Sequence, residues 1–296
     1  MSAPTQPTST LIVTEAYKQF GIASPTSAQL TRAIDYGIEK VKRDIWAIGK
    51  KWRILRTTQY LPVKVGVSRY ANPSDFEQDI QEPGMVLLDG DSRRALQTAA
   101  AGTATLAAAE PAAQADAEGH LLMITTGTGS GQAEQIDDYN STTKVATMRA
   151  NWTTTPAAAD TYLLVNANYP IQKLPWVRRA LLGRPQDPGR PRQAFEMGAG
   201  PTGYIELYPV PDQVYGVKRD YYANLLMVDL TSTLYSAILR NWCGVLTQGV
   251  LCWLMSGYDD TRSKEQGAIY GGMLKQLQGR ELDEMNESNL QVRMAD

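Results

Sequence analysis

The chain has 296 residues, more than one compact core usually holds, so two modules are expected. With 43% apolar and 20% charged residues its composition excludes a disordered chain, and a formal charge of −2 excludes a whole-protein attraction to nucleic acid or membrane. The single histidine, His120, excludes multi-histidine metal sites and leaves one base for any serine-type catalytic arrangement.

Residues 1–10 are rich in Pro, Ser and Thr and read as a flexible arm. They have neither the basic start nor the apolar core of a secretory signal, so synthesis in the cytoplasm is expected. Leu11 to Phe20 reads as a short helix ending at Gly21, and Thr26 or Ser27 as the N-cap of the next one. From Ala28 to Trp52 the residues Leu30, Ile34, Ile38, Val41, Ile45, Ile48 and Trp52 recur every three or four positions, the spacing of a helix with one apolar stripe. Lys40, Lys42, Arg43, Lys50 and Lys51 fall off that stripe and are expected to face solvent or a partner.

Ile54 to Val67 alternates around Pro62 and predicts edge strands. Met85 to Leu88 reads as a short buried strand closed by Asp89-Gly90-Asp91, and the Ala-rich residues 98–117 as a low-complexity joint. His120 to Thr126, Glu134 to Tyr139, Lys144 to Arg149 and Thr161 to Val165 are strand candidates separated by turn residues. Prolines then space out a basic loop carrying Arg178, Arg179, Arg184, Arg190 and Arg192. Tyr204–Tyr208 and Val214–Tyr222 are expected to form a hairpin across Pro209-Val210-Pro211-Asp212.

Leu234 to Met255 is the most apolar run, too long for a strand. Arg240, Asn241, Thr247 and Gln248 interrupt it, so it predicts a buried core helix rather than a bilayer span. Cys243 and Cys252 lie on it nine residues apart, on opposite faces and roughly 13 Å apart along the axis, too far to pair with each other. Ala28–Trp52 is its expected packing mate, and its apolar residues, Trp242 and Trp253 included, are expected to divide between the subunit core and a neighbouring subunit. Asp259 and Asp260 would cap a last helix, Arg262–Gln278, and the acidic tail with Glu281, Asp283 and Glu284 should be extended.

The expected fold class is therefore α+β: a helical bundle with a small β-sheet or hairpin, plus an inserted all-β module. Residues 1–10 form the arm, 11–98 with 170–282 a discontinuous helical core, 99–169 the insertion and 283–296 the tail.

No stretch carries recognisable chemistry. Gly127-Thr128-Gly129-Ser130-Gly131 lacks the Lys-Ser/Thr of a phosphate loop and is followed by strand pattern, so it reads as a hairpin turn. Asp89 and Asp91 lack the later ligands of a calcium loop. The adjacent acids of Asp137-Asp138 diverge in a strand. Without a nucleophile beside a base, no enzyme is expected, and no cofactor or metal. The two basic clusters are either solvated faces or contacts to an acidic surface or phosphates, without the interleaved aromatics of a single-strand binder.

Several motifs occur in a telling order: the helix with Trp52, the turn Asn72-Pro73-Ser74-Asp75-Phe76, Gly183-Arg184-Pro185, Tyr204-Ile205-Glu206-Leu207-Tyr208-Pro209-Val210-Pro211-Asp212, and a helical pair with Gly257-Tyr258-Asp259. In this order they resemble the head-to-tail adaptor proteins of short-tailed bacteriophages, the tail tubular protein A class, over roughly residues 11–98 and 170–282. The resemblance implies a virion protein of the neck. It would form a homo-oligomeric ring, usually of twelve copies, docked on the portal protein and facing tail nozzle, tail tube and fibre proteins. DNA would pass through the lumen unread, and the tail from Glu281 would insert toward the portal. The inserted module looks like segments of phage virion proteins through Gly129-Ser130-Gly131-Gln132, Ile136-Asp137-Asp138-Tyr139, Trp152 and Pro156. The competing reading is a tail-associated binding or decoration module whose β domain contacts carbohydrate or another tail protein. Exposed Tyr139, Trp152 and Tyr162 on one face would favour it.

Overall fold

A computed structural model describes residues 8–49, 52–80, 84–110, 117–181, 188–198, 200–228, 233–258 and 260–293. For residues 91–93, 180–181, 233 and 281–293 the description stops at the backbone. The chain forms two compact units, Met1–Arg56 with Tyr222–Asp296, and Thr57–Tyr221. Helices α1 (Ser9–Phe20), α2 (Ser27–Arg32) and α3 (Glu39–Ile48) precede the second unit, which carries α4 (Trp176–Leu181) among its strands; α5 (Thr233–Gly257) and α6 (Ser263–Arg293) follow it.

The first unit is helical, and local chemistry sets its boundaries. The Thr8 hydroxyl accepts a hydrogen bond from the Leu11 N–H at the start of α1. Gly21 ends the helix with φ at 108°, a conformation that costs glycine nothing. Thr26 and Gln29 cap α2 reciprocally, and the helix runs through a π-helical segment, Ala33–Ile38, into α3. α5 packs against α1, α3, α6 and the π segment. It buries Ile238, Leu239, Trp242, Leu246, Val250 and Leu254, side chains worth about 1.5–3 kcal/mol each when removed from water. Gly249 lets α5 approach both neighbours, since a Cβ there would lie 2.4 Å from Val41 Cγ2 and 2.9 Å from the Tyr270 ring. Cys243 and Cys252 are free and half-buried.

Two helical expectations shift. Trp52 lies beyond the end of α3, with its indole N–H donating to the Gly49 carbonyl at 2.6 Å. α6 runs to Arg293, so the backbone from Glu281 is helical where an extended tail is expected. No helix among the described residues is long and apolar enough to cross a membrane.

The second unit overturns the expected fold class. The structure is mostly β, with a large curled antiparallel sheet and a second sheet, not a helical bundle with a small sheet. In chain order the strands are β1 (Arg56–Val63), β2 (Arg69–Ala71), β3 (Phe76–Asp79), β4 (Met85–Ala95), β5 (Thr98–Ala100), β6 (Thr103–Thr105) and β7 (Leu121–Ile124). They continue with β8 (Ala133–Asn140), β9 (Val145–Met148), β10 (Thr161–Pro170), β11 (Gln172–Leu174), β12 (Gln193–Met197), β13 (Tyr204–Tyr208) and β14 (Tyr215–Ala223). The large sheet has the order β1-β14-β4-β10-β7-β8-β9-β6-β5, with β3 also on β14, and the small sheet β11-β12-β13-β2.

Alternation along the central strands feeds three separate cores. Met85 and Leu87 of β4 face an inter-sheet core with Val63, Ile205, Leu207 and Val217, while Leu88 faces a second core with Met123, Leu163 and Val165. On β10, Leu163 and Val165 share that second core, whereas Tyr162 and Leu164 face a third with Leu122, Ile124, Ile136 and Trp152. Gly216 of β14 leaves room for Met123, whose Sδ would be 2.4 Å from a Cβ there.

Two local expectations fail for related reasons. Asp89-Gly90-Asp91 does not close a strand; β4 continues through it, with a register shift opposite Leu164 and Val165. A Cβ on Gly90 would lie 1.9 Å from the Leu164 carbonyl oxygen, so only glycine fits that bulge. β13 and β14 are not a hairpin either: β13 pairs with β12 and β2 in the small sheet, and β14 with β1, β3 and β4 in the large one. The connection through Pro209 and Pro211 crosses between sheets, and neither proline has an N–H to give a ladder. The 99–169 segment contributes strands to the large sheet. Its strand β10 pairs with β4 from Thr161↔Ala95 to Pro170↔Val86, and the unit boundaries lie at 56/57 and 221/222.

Candidate functional site

The small sheet sorts its polar residues by face. Ile205 and Leu207 point into the inter-sheet core, so Tyr204, Glu206 and Tyr208 share the outer face of β13. Glu206 is 2% exposed and held by two arginines: Arg179 Nε donates to Oε1 at 2.7 Å and Arg69 Nε to Oε2 at 3.2 Å. Each guanidinium also lies over a tyrosine ring, Arg179 over Tyr208 at 5.6 Å and Arg69 over Tyr204 at 5.4 Å. This clamp fixes α4 on the sheet. It leaves the first turn of α4 at the surface, with Trp176 41% and Val177 74% exposed beside an exposed Arg178.

A second polar cluster is internal. Arg219 of β14 is fully buried, with Nε donating to Asp79 Oδ1 and Nη1 to Asn72 Oδ1 at 2.8 Å, and its guanidinium 4.2 Å above the Phe76 ring. Lys173 Nζ lies 2.7 Å from Asp79 Oδ2, and the Tyr221 hydroxyl donates to Asp75 at 2.7 Å. Arg219 Nη2 has no hydrogen-bond partner among the described residues.

Glu196 sits near this cluster, and its carboxyl is pushed above the ordinary glutamate value by burial and then by the Asp79 charge, against the pull of Lys173 and Arg219. A raised folded-state value means that the folded protein holds this proton more tightly than the unfolded chain. Stability from this group is therefore full in acid and declines as pH rises through the folded value. Glu196→Gln is expected to raise the urea midpoint at neutral pH and leave it unchanged in acid, where the wild-type residue is already protonated. A pH series of unfolding curves checks this, and equal gains at both ends would contradict it.

The glycine loop between β7 and β8 is a structural hairpin. The Asp160 carboxylate accepts from the Gly129 and Ala157 N–H groups at 3.4 and 2.9 Å, and a Cβ on Gly127 would collide with it at 1.8 Å. Among the described residues, no three His, Cys, Asp or Glu side chains converge as a metal site would require.

The residues singled out from sequence are scattered. Lys42 is a correction: its side chain is 3% exposed and paired with Glu39 at 2.7 Å, because it follows buried Ile38 by four residues and precedes buried Ile45 by three, on the same helix face. Arg43 is exposed, and Lys50, Lys51 and Arg184 lie outside the described residues. Arg179 is likewise internal, by its pairing with Glu206. Arg190 lies 3.8 Å over the Tyr169 ring, and Arg192 is exposed while its backbone bonds to Tyr208 and Gln172. Trp242 is 1% exposed and so not at a subunit surface; Trp253 is half-buried. Glu281, Asp283 and Glu284 lie on the α6 backbone, their side chains outside the description.

Tyr139, Trp152 and Tyr162, the proposed carbohydrate platform, are all buried in the third core. Arg69, Glu206 and the Asp79–Arg219 pair were not singled out from sequence. The alternation Tyr-Ile-Glu-Leu-Tyr in 204–208 is the one signal that could have revealed Glu206 as an outer-face anchor. Comparison with known protein families finds none whose pattern matches the chain, and comparison with curated proteins finds no match either.

Proposed function

We propose that the chain is a structural adaptor that assembles as a ring at the head-to-tail junction of a short-tailed phage, docked on the portal and surrounding the DNA exit channel without reading its sequence. The motif order described above supports this reading. The observation that carries it is the length of α6, 31 residues against 25 in α5. At 1.5 Å per residue α6 is about 9 Å longer than the helix it packs on, and length of this kind is what a partner in an assembly uses. A ring needs only a heterologous interface that closes, with no active site. The aromatic burial just described removes the feature that would favour a carbohydrate-binding module.

Native mass measurement of the chain alone and mixed with the portal ring tests the proposal. The expected result is a multi-copy complex that joins the portal. A monomer that never associates with a portal would discard the adaptor reading.

A further inference from the structure

Helix α6 is fastened to its unit unevenly along its length. Polar contacts hold its first turns: the Gln248 side-chain amide of α5 donates to Gln266 Oε1 at 2.7 Å, and the Tyr270 hydroxyl donates to Asp44 Oδ2 of α3 at 3.2 Å. Tyr270 is also buried, beside Gly249. Among the described residues, no side chain in 271–280 makes a hydrogen bond or an ion pair. Apolar contact holds that part, with Leu277 buried and Met273 Cε 3.4 Å from the place a Cβ would take on Gly244.

Gly271 and Gly272 stand where the one kind of fastening gives way to the other. Among the described residues, a Cβ on either would meet no neighbour within 4 Å, so packing inside the chain does not call for glycine there. Glycine is the poorest helix former after proline, because it has the most backbone freedom to lose. Paired small residues of this kind are a known place for a helix to bend. In a helix of 31 residues, the weakest link therefore falls directly after the last polar anchor.

We propose that Gly271-Gly272 is a hinge, about which residues 273–280 swing off α5 while α6 up to Tyr270 stays in place. The opening uncovers Met273 and Leu277 and breaks no polar side-chain contact, so it is a local event rather than unfolding of the unit. This device works in the single chain and does not depend on the ring reading.

Amide exchange in the full-length chain tests it. Exchange in residues 273–280 is expected to be at least about tenfold faster than in 266–270, with a step at Gly272. Gly271→Ala combined with Gly272→Ala adds no clash and should slow exchange in 273–280 about twentyfold, leaving 266–270 within about twofold. Gly267→Ala, at a position equally open, should leave 273–280 unchanged. Equal protection on both sides of Gly272 in the wild type would overturn the hinge, and so would a gradual rise toward the end of the helix, which is fraying. A double variant that slows both parts alike, or a Gly267→Ala chain that slows 273–280, would show that glycine weakens the helix as a whole, and the hinge falls. A double variant that fails to fold would show the two positions to be packed, which overturns it as well.

Discussion

Asp79→Ala is expected to destabilise the β unit by about 3–5 kcal/mol, the range for removing one partner of a buried ion pair. The Arg219 and Asp79 side chains are 0% and 1% exposed, so the guanidinium left behind cannot recover its hydration. It would keep the Asn72 side-chain oxygen and the Phe76 ring but lose its one ion-pair partner among the described residues, while Lys173 would also lose its carboxylate. The cost is therefore the desolvation of an uncompensated charge, more than the lost attraction. This leads to a sharper expectation for the pair as a whole. Asp79→Leu with Arg219→Met removes both charges and should be far less damaging than Asp79→Ala, at most mildly destabilising. Urea unfolding together with amide exchange in β14 reports on this unit specifically. A loss below about 1 kcal/mol in Asp79→Ala would show that Arg219 finds another partner.

The apolar cores of the same unit explain why its β architecture is hard to read from sequence. Met85-Val86-Leu87-Leu88, Leu121-Leu122-Met123-Ile124 and Tyr162-Leu163-Leu164-Val165 have no alternation of apolar and polar residues, because each strand has a core on both faces. Their positions were legible, but the sheet they share was not. Nothing local in Asp89-Gly90-Asp91 separates a strand-ending turn from a bulge, since both favour glycine and the difference lies in the Leu164 carbonyl across the ladder. The Ala-rich run at 98–105 forms two short strands through pairing with β9, a tertiary effect that overrides weak propensity. The helices were read more easily. The caps at Thr26 and Gly21 and the spacing from Ile38 to Ile48 are local features that survive folding, while the π segment Ala33–Ile38 breaks the regular spacing before them.

The candidate surface was partly legible for a different reason. Arg178 and Arg179 are adjacent, and composition treats them alike. About 100° of rotation around α4 separates their fates: Arg179 reaches Glu206, 27 positions ahead, and Arg178 does not. Only the fold supplies that partner. In the first cluster, Lys42 reads as off the apolar stripe by residue type, yet it is four residues from Ile38 and three from Ile45 and is buried beside them with its ammonium on Glu39.

Trp242→Ala is expected to cost the helical unit about 3–5 kcal/mol. The indole is 1% exposed and meets Trp52 edge-on, with ring centroids 5.6 Å apart and planes at 70°, so truncation leaves a large cavity and removes an aromatic pair. Trp253 is half-buried, with its ring 3.1 Å from the place a Cβ would take on Gly37, and Trp253→Ala should cost about 1–2 kcal/mol. The two substitutions also separate core from interface. Trp242 has no surface to lend, so its loss should weaken assembly only as far as it unfolds the unit. Trp253 does have surface, and a loss of assembly larger than its loss of stability would place it against a neighbouring copy. Near-UV circular dichroism follows the Trp52–Trp242 pair, and sedimentation of the same samples follows assembly. A Trp242→Ala chain with an unchanged unfolding midpoint would mean that α5 is not the central element of its unit, whatever its hydrophobicity.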